Sequence, residues 1–317
     1  MTLWARLSRL DWQRLGTVAT LGVGFAFALA QAVGITPFAF DAGAYWAAEP
    51  GNLYTGWEDR PDGFAPYLYS PAFADALIPL RFLSPQVFAG VWLFGLFAAM
   101  AFAARGWSIV FVLAALPSLM FDILEPLDVV VRDISHGNIQ VLLGAIAVVG
   151  LRRPYLWAIP LLSKVTPGVG VLWFLARQEW SKLAIALGST AVLALLSFLY
   201  LPSDWFDWVA FLRDSSSFRF PLWVVPIPLV VRLAMSGALI WWGARTDRAW
   251  VVPVAVGWAI PMPYPTLLAA VAFAISQLRQ SGATPEIRAR TDVLKAAVTY
   301  RHSQDSVPEP ASLPSAF

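Results

Sequence analysis

Residues 183–201 read LAIALGSTAVLALLSFLYL, a run without a single charge. About 20 apolar residues in a helix cross the hydrocarbon core of a bilayer, so this stretch by itself calls for a membrane span. Working outward, the apolar runs at 15–34, 86–104 and 221–243 meet the same length. The run at 107–121 meets it if it extends to about Leu124. Those at 71–83, 139–151, 154–163, 166–176, 250–262 and 264–278 are too short. The pairs 154–163 with 166–176 and 250–262 with 264–278 are predicted to be half-length helices folded back at a Pro-containing turn. Broken helices are tolerated at membrane depth only when buried in protein or lining a cavity. The expected fold class is all-α: a polytopic transmembrane helical bundle of about 8–11 membrane helices, some short or re-entrant. The first outer loop is expected to carry short interfacial helices. The membrane domain is expected over 1–281, with a polar, largely disordered cytoplasmic tail over 282–317.

Composition agrees. The 317 residues are 58% hydrophobic and 13% charged, where soluble chains carry about 25% charge. Mean hydropathy is +0.64. A soluble globule, a disordered chain, a collagen-like chain and a disulfide scaffold are all excluded. The chain has no Cys and two His, which removes thiol catalysis and argues against a zinc site. No Walker A loop, GxGxxG, HExxH or GxSxG motif is present, and the charge distribution makes no case for nucleic acid.

The positive-inside rule orients the threading. Arg6, Arg9 and Arg14 place the N-terminus in the cytoplasm. Arg105, Arg152, Arg153, Arg177, Lys182, Arg245, Arg248 and the tail fall on the same side if 71–83 is re-entrant or interfacial. The cytoplasmic segments then hold 15 of the 22 Lys and Arg, and the outer face holds 13 of the 20 Asp and Glu. Arg232 lies within a span. Ala28-Leu29-Ala30 has the look of a signal cleavage site, but the apolar run before it is long for a signal peptide, so an uncleaved first span is expected.

Four features gather on the outer face. The loop from Ile35 to Ser70 carries Asp41 a few residues past the first span, among Phe38, Phe40, Tyr45 and Trp46. A carboxylate there is costly unless paired or used; it reads equally as the N-cap of an interfacial helix and as a functional group. Tyr54, Tyr67 and Tyr69 read as a sugar-stacking wall or an interfacial aromatic belt. Asp122, Glu125, Asp128, Arg132 and His136 have helical spacing and form one stripe, either an ion-pair ladder or a face for a polar ligand. His136 and Gly137 turn the chain into Asn138 and Gln140. Lys164, in PLLSKVTPGVG, stands at the tip of the first half-helix pair, where it either meets a lipid phosphate or snorkels to the interface. Arg213 and Arg219 flank a Ser run.

The order of these elements is informative. Asp41, Tyr45 and Leu53-Tyr54 come first, then Tyr69-Ser70-Pro71 and Pro79-Leu80. Gly137-Asn138-Ile139-Gln140 opens a span, and Lys164-Val165-Thr166-Pro167 precedes an apolar half-helix and Arg177. Over roughly residues 15–200 this order resembles glycosyltransferase family 87. That family comprises polytopic GT-C-class enzymes similar to polyprenyl-phosphate-mannose-dependent α-1,2-mannosyltransferases. The chain departs from the family in exchanging the amides of its Gly-Gln-x-Asn pattern, in having His136 beside them, and in its shorter length.

The resemblance implies a GT-C-like bundle in the cell membrane with an extracytoplasmic active site. It implies a polyprenyl-phosphate sugar donor, mannose being the expected hexose, a lipid or glycan acceptor, and inversion at the anomeric carbon. Asp41 then acts as general base. Lys164, with Arg132 and His136, holds the donor phosphate. Tyr45, Tyr67, Tyr69, Asp128, Asn138 and Gln140 bind sugar or acceptor, and the short helices open a groove toward lipid for the prenyl chain. No ligand spacing demands a metal, although the acidic outer face leaves room for a divalent cation. From other classes, a transporter or flippase would also use broken helices, and a non-catalytic partner of a cell-envelope complex would share the composition.

Overall fold

A computed structural model describes residues 11–36, 38–54, 67–104, 108, 134–215, 227–260 and 273–274. Among the described residues the fold is all-helical, without strands. Asp128 and Arg132, with the rest of their predicted stripe up to residue 133, lie outside the described residues, as do 264–272 of the second predicted half-helix pair and everything from 275 onward.

Among the described residues three helices have the length and composition of spans: α1 (Trp12–Ala32), here followed by the short α2 (Phe40–Trp46), then α4 (Pro85–Ala104) and α8 (Trp180–Tyr200). At 1.5 Å per residue, 20 or 21 residues reach about 30 Å. Asp11 starts α1 by accepting the N–H groups of Gln13 and Arg14, each at 3.2 Å. Gly34 ends it at φ +75, with Ile35 N donating to Ala30 O at 2.9 Å and Gly34 N to Gln31 O at 3.1 Å. These two bonds make a Schellman cap.

The stretch 71–83 holds no helix long enough to cross by itself. It forms α3 (Pro71–Leu77) and a 3₁₀ turn (Ile78–Leu80), ten residues in all. That is about 15 Å of helix, half a bilayer core, as the re-entrant or interfacial reading requires. α5 (Gln140–Val149) is likewise short. The run 221–243 begins its helix only at Leu229, as α10 (Leu229–Arg245).

Small residues bring α1 and α4 together. Gly24 faces Phe97, Phe25 faces Phe94, and Gly90 faces Ala28 and Ala32. The paired numbers have a nearly constant sum, so the helices run antiparallel. A Cβ on Gly90 would lie 2.6 Å from the Ala28 carbonyl oxygen. In a bilayer, helix association relies on such close backbone approach.

The first predicted half-helix pair is present. A 3₁₀ turn (Pro154–Trp157) and α6 (Ala158–Ser163) lead to a tip at Lys164 and Val165. The chain returns through a second 3₁₀ segment (Thr166–Val171) and α7 (Leu172–Ala176). Gly168 lies against Leu161 and Gly170 against Trp157, which marks an antiparallel fold-back. Arg177 ties its base to the next turn, Nη1 meeting Asp247 Oδ1 at 2.7 Å. α9 (Pro202–Ser215) follows α8 directly, and α11 (Val251–Ala259) packs on α10. Within α10, Arg232 is buried. It donates to the carbonyls of Ile227, Trp258 and Ile260, so it covers the otherwise unsatisfied end of α11.

Gly90→Val is expected to separate α1 from α4 and cost about 1–3 kcal/mol. The measurement is the thermal unfolding midpoint of the detergent-solubilised protein, with Gly95→Val as a control, since a Cβ there meets nothing within 4 Å.

Candidate active site

α2 has seven residues, too few to hold together alone. It is fixed at both ends. The N–H groups of Asp41 and Ala42 both donate to His136 O, at 2.7 and 3.2 Å. At the other end Arg81 Nε donates to Trp46 O at 3.1 Å, and Trp46 Nε1 donates to Leu83 O at 3.0 Å. The residue before α2 is Ala39, which makes no side-chain cap. The carbonyl of His136 therefore takes the capping role, and the Asp41 carboxylate is left for another use.

That carboxylate faces the turn before α5. Gln140 N donates to Asn138 Oδ1 at 3.2 Å. A backbone N–H can only donate, so the amide must present Nδ2 on its other side, and Nδ2 donates to Asp41 Oδ2 at 3.1 Å. Gly137 makes this meeting feasible. Its φ is +80, and a Cβ there would stand 2.6 Å from Ala42 Cβ and 2.9 Å from Ala42 N. Trp92, from the middle of α4, donates Nε1 to Gly137 O at 2.7 Å and locks the turn.

Lys164 closes the site from the half-helix pair. Its Nζ lies 5.4 Å from the centre of the Tyr69 ring, within cation–π range. Burial raises the Asp41 pKa above the usual carboxylate value; the positive charge of Lys164, the Asn138 hydrogen bond and nearby His136 pull against that rise. Asp41, His136, Asn138, Lys164 and Tyr69 thus come together. His136 is exposed, while Asp41, Asn138 and Lys164 are half-buried.

The tip that presents Lys164 is strained. Val165 has φ +55 and ψ −58, and Thr166 N donates to Lys164 O at 2.6 Å. This is a γ-turn of the rare hand, held by a β-branched residue that disfavours positive φ. Such strain persists only where the surroundings impose it, and it collects at ligand sites. Lys164 N and Val165 N both donate to Pro160 O, and Ser70 Oγ bonds Leu162 O, which anchors the tip to the start of α3.

The aromatic residues expected to bind sugar divide into two groups. Tyr45 and Tyr67 are fully buried, as is Gln140, and stand behind Tyr69, which is itself 5% exposed and turns its ring toward Lys164. Tyr45 bonds Tyr69 hydroxyl to hydroxyl at 2.8 Å, and Tyr67 OH donates to Ser70 O at 2.7 Å. Tyr54 OH donates to Tyr69 O. Tyr45 and Tyr54 hold Tyr69, whose ring faces Lys164, and Tyr67 holds the next residue, Ser70. The reason is economy of burial: a phenol sealed among rings must spend its hydroxyl on a neighbour. Sequence reasoning passed over Trp92 and Ser70. An indole near the middle of the otherwise apolar run 86–104 was the available signal for the first. Ser70 gave none, because its partner is a distant backbone carbonyl. Among the described residues, no group of three or more His, Asp or Glu is placed to hold a metal ion.

The described helices thus form a bundle with the length and composition of a membrane protein, in which a carboxylate, an amide and a lysine converge where short helices meet. The model of glycosyltransferase family 87 matches residues 67–294, and the chain belongs to that family; it is a membrane glycosyltransferase. The match includes Tyr69, His136, Asn138 and Lys164. Asp41 and Tyr45 precede it, so the place of Asp41 rests on its contacts. No curated protein and no solved structure matches the chain.

Two substitutions check this geometry. Gly137→Ala forces a side chain into a left-handed position against Ala42 and is expected to lower stability by at least about 2 kcal/mol, read by thermal unfolding. Asn138→Leu removes a hydrogen bond that favours ionised Asp41, so the Asp41 pKa rises further. The acid limb of the pH–rate profile should then move to higher pH by about one unit.

Proposed function

We propose that this enzyme transfers a hexose, mannose by preference, from a polyprenyl-phosphate donor to a lipid or glycan acceptor. The reaction is an inverting single displacement on the extracytoplasmic face of the cell membrane, with both termini in the cytoplasm. The observation that carries this reading is the facing of Asp41 and Lys164 across Asn138 and Tyr69.

The chemistry follows from the charges. The acceptor hydroxyl oxygen attacks C1 of the donor sugar, and the bond from C1 to the phosphate oxygen breaks. The hydroxyl proton passes to Asp41, which later releases it to water. The leaving phosphate carries the negative charge to Lys164, aided by His136 and, from outside the described residues, by Arg132. Lys164 also couples the two events. Before the donor binds, its charge holds down the basicity of Asp41. A bound phosphate neutralises that charge, so Asp41 becomes the stronger base when there is a sugar to transfer. Asn138 keeps the carboxylate aimed, and the Tyr69 ring offers an apolar face for the sugar. Asp128 is assigned to orienting Arg132 or binding a sugar hydroxyl. This layout makes no use of a divalent cation.

The test is transfer in membrane vesicles with labelled polyprenyl-phosphate mannose and polyprenyl-phosphate glucose. Asp41→Asn is expected to lower the rate about 10²–10⁴-fold, and Lys164→Met to weaken use of the donor. Transfer that survives Asp41→Asn overturns the base assignment. Consumption of neither lipid-linked sugar overturns the donor assignment.

A further inference from the structure

Between α3, α6 and α8 lies a cavity of about 590 Å³, a size typical of small-molecule sites. Phe73, Trp92, Leu142, Leu162, Leu193 and Leu196 make most of its wall. It adjoins the Asp41 site: Trp92 lies in the cavity wall and donates Nε1 to Gly137 O, and Tyr45 packs edge-on against both Phe73 and Trp92, with ring centres 5.4 and 5.3 Å apart. On the far side the wall includes Leu193, Leu196 and Tyr200 of the span α8, which are 48%, 59% and 63% exposed. The cavity therefore has access from the lipid side, beside the end of a span.

One feature of this apolar space is out of character. Asp75, on α3, is part of the wall. Both its carboxylate oxygens are shielded from solvent and have no hydrogen-bond partner among the described residues. Ser197, also in the wall, is near enough to favour the ionised carboxylate, but it stands outside hydrogen-bond geometry to either Asp75 oxygen. The other groups that feel Asp75 are Asp204, Tyr54 and Tyr67, none of them a cation. Asp204 is itself occupied, accepting Gly51 N with both oxygens at 3.1 and 2.9 Å. No Lys, Arg or His lines the cavity among the described residues. A shielded polar group without a partner is costly, and the missing partner must be a hydrogen-bond donor.

We infer that this cavity is the acceptor site, taking from the bilayer an uncharged, hydroxyl-bearing amphiphile whose hydroxyl donates to Asp75. This deepens the reading given under the proposed function and rests on it for the word acceptor. A phosphate is repelled by Asp75 and finds no cation here, so the donor phosphate belongs at Lys164. A purely hydrocarbon prenyl chain would leave Asp75 unsatisfied. A hydroxylated headgroup with an apolar tail satisfies both the carboxylate and the Leu, Phe and Trp walls.

The test is equilibrium binding to the full chain in phosphatidylcholine nanodiscs, without turnover. Labelled decyl α-mannoside is the neutral probe and labelled decyl phosphate the charged one. The mannoside is expected to bind wild type. Asp75→Leu should weaken it by about tenfold or more. The isosteric Asp75→Asn, which keeps an accepting oxygen, should weaken it less. Ala76→Trp, from an exposed wall position, should block it. Decyl phosphate binding should survive all three and fall in Lys164→Met. Mannoside binding that is absent in wild type, or unchanged in both Asp75→Leu and Ala76→Trp, overturns the inference. Decyl phosphate lost in Ala76→Trp assigns the cavity to the donor chain and overturns it too. Because no step is catalysed, absence of glycosyl transfer would count against the proposed function and not against this site.

Discussion

The carbonyl of His136, receiving the backbone N–H groups of Asp41 and Ala42, is the contact on which the site depends. It joins two segments almost a hundred residues apart in the chain. It frees Asp41 from capping its own helix, and it sets the next residues, Gly137 and Asn138, directly against α2. Gly137 is the only kind of residue that fits there, since both its φ and its distance from Ala42 exclude a side chain. Trp92 then holds Gly137 from the span α4, so the most precisely placed carboxylate in the molecule is referred back to the rigid part of the bundle.

The membrane explains why so much of the architecture is built from short pieces. A full-length helix satisfies its own backbone; a half-helix leaves carbonyls and N–H groups open at a depth where water is scarce. Each short element here has a named partner at its end. α2 has His136, Arg81 and Leu83. α11 has Arg232. The tip after α6 uses the Pro160 carbonyl twice and is tied to Ser70. These pieces come together where α1 ends and α8 gives way to α9, and that is where the charged and aromatic side chains collect.

Sequence reading reached the three spans, the half-helix pair and the short 71–83 element, because hydrophobic length and Pro position are local properties. It also reached Asp41, Asn138 and Lys164, through their spacing and a family resemblance. It left Asp41 divided between cap and functional group. Only the distant carbonyl of His136 decides that, and no local pattern encodes it. Tyr45, Tyr67 and Gln140 were expected on the sugar wall and stand behind Tyr69, because burial depends on which rings arrive from other segments. Trp92 and Trp46 each serve one particular backbone carbonyl in another segment, which no local pattern announces. Asp75 drew no notice in an Ala-rich stretch, since its isolation is a property of the cavity around it.

All of this turns on Asp41 and Lys164 sharing one site, although more than a hundred residues, the span α4 among them, separate them in the chain. The chain contains no Cys, so an Asp41→Cys, Lys164→Cys double variant carries the only two thiols. Treatment with a short thiol-to-thiol crosslinker in native membranes measures their proximity directly. Efficient intramolecular crosslinking by a short linker is the expected result. No crosslink with short or long linkers, while both thiols still react with a monofunctional reagent, would contradict the account.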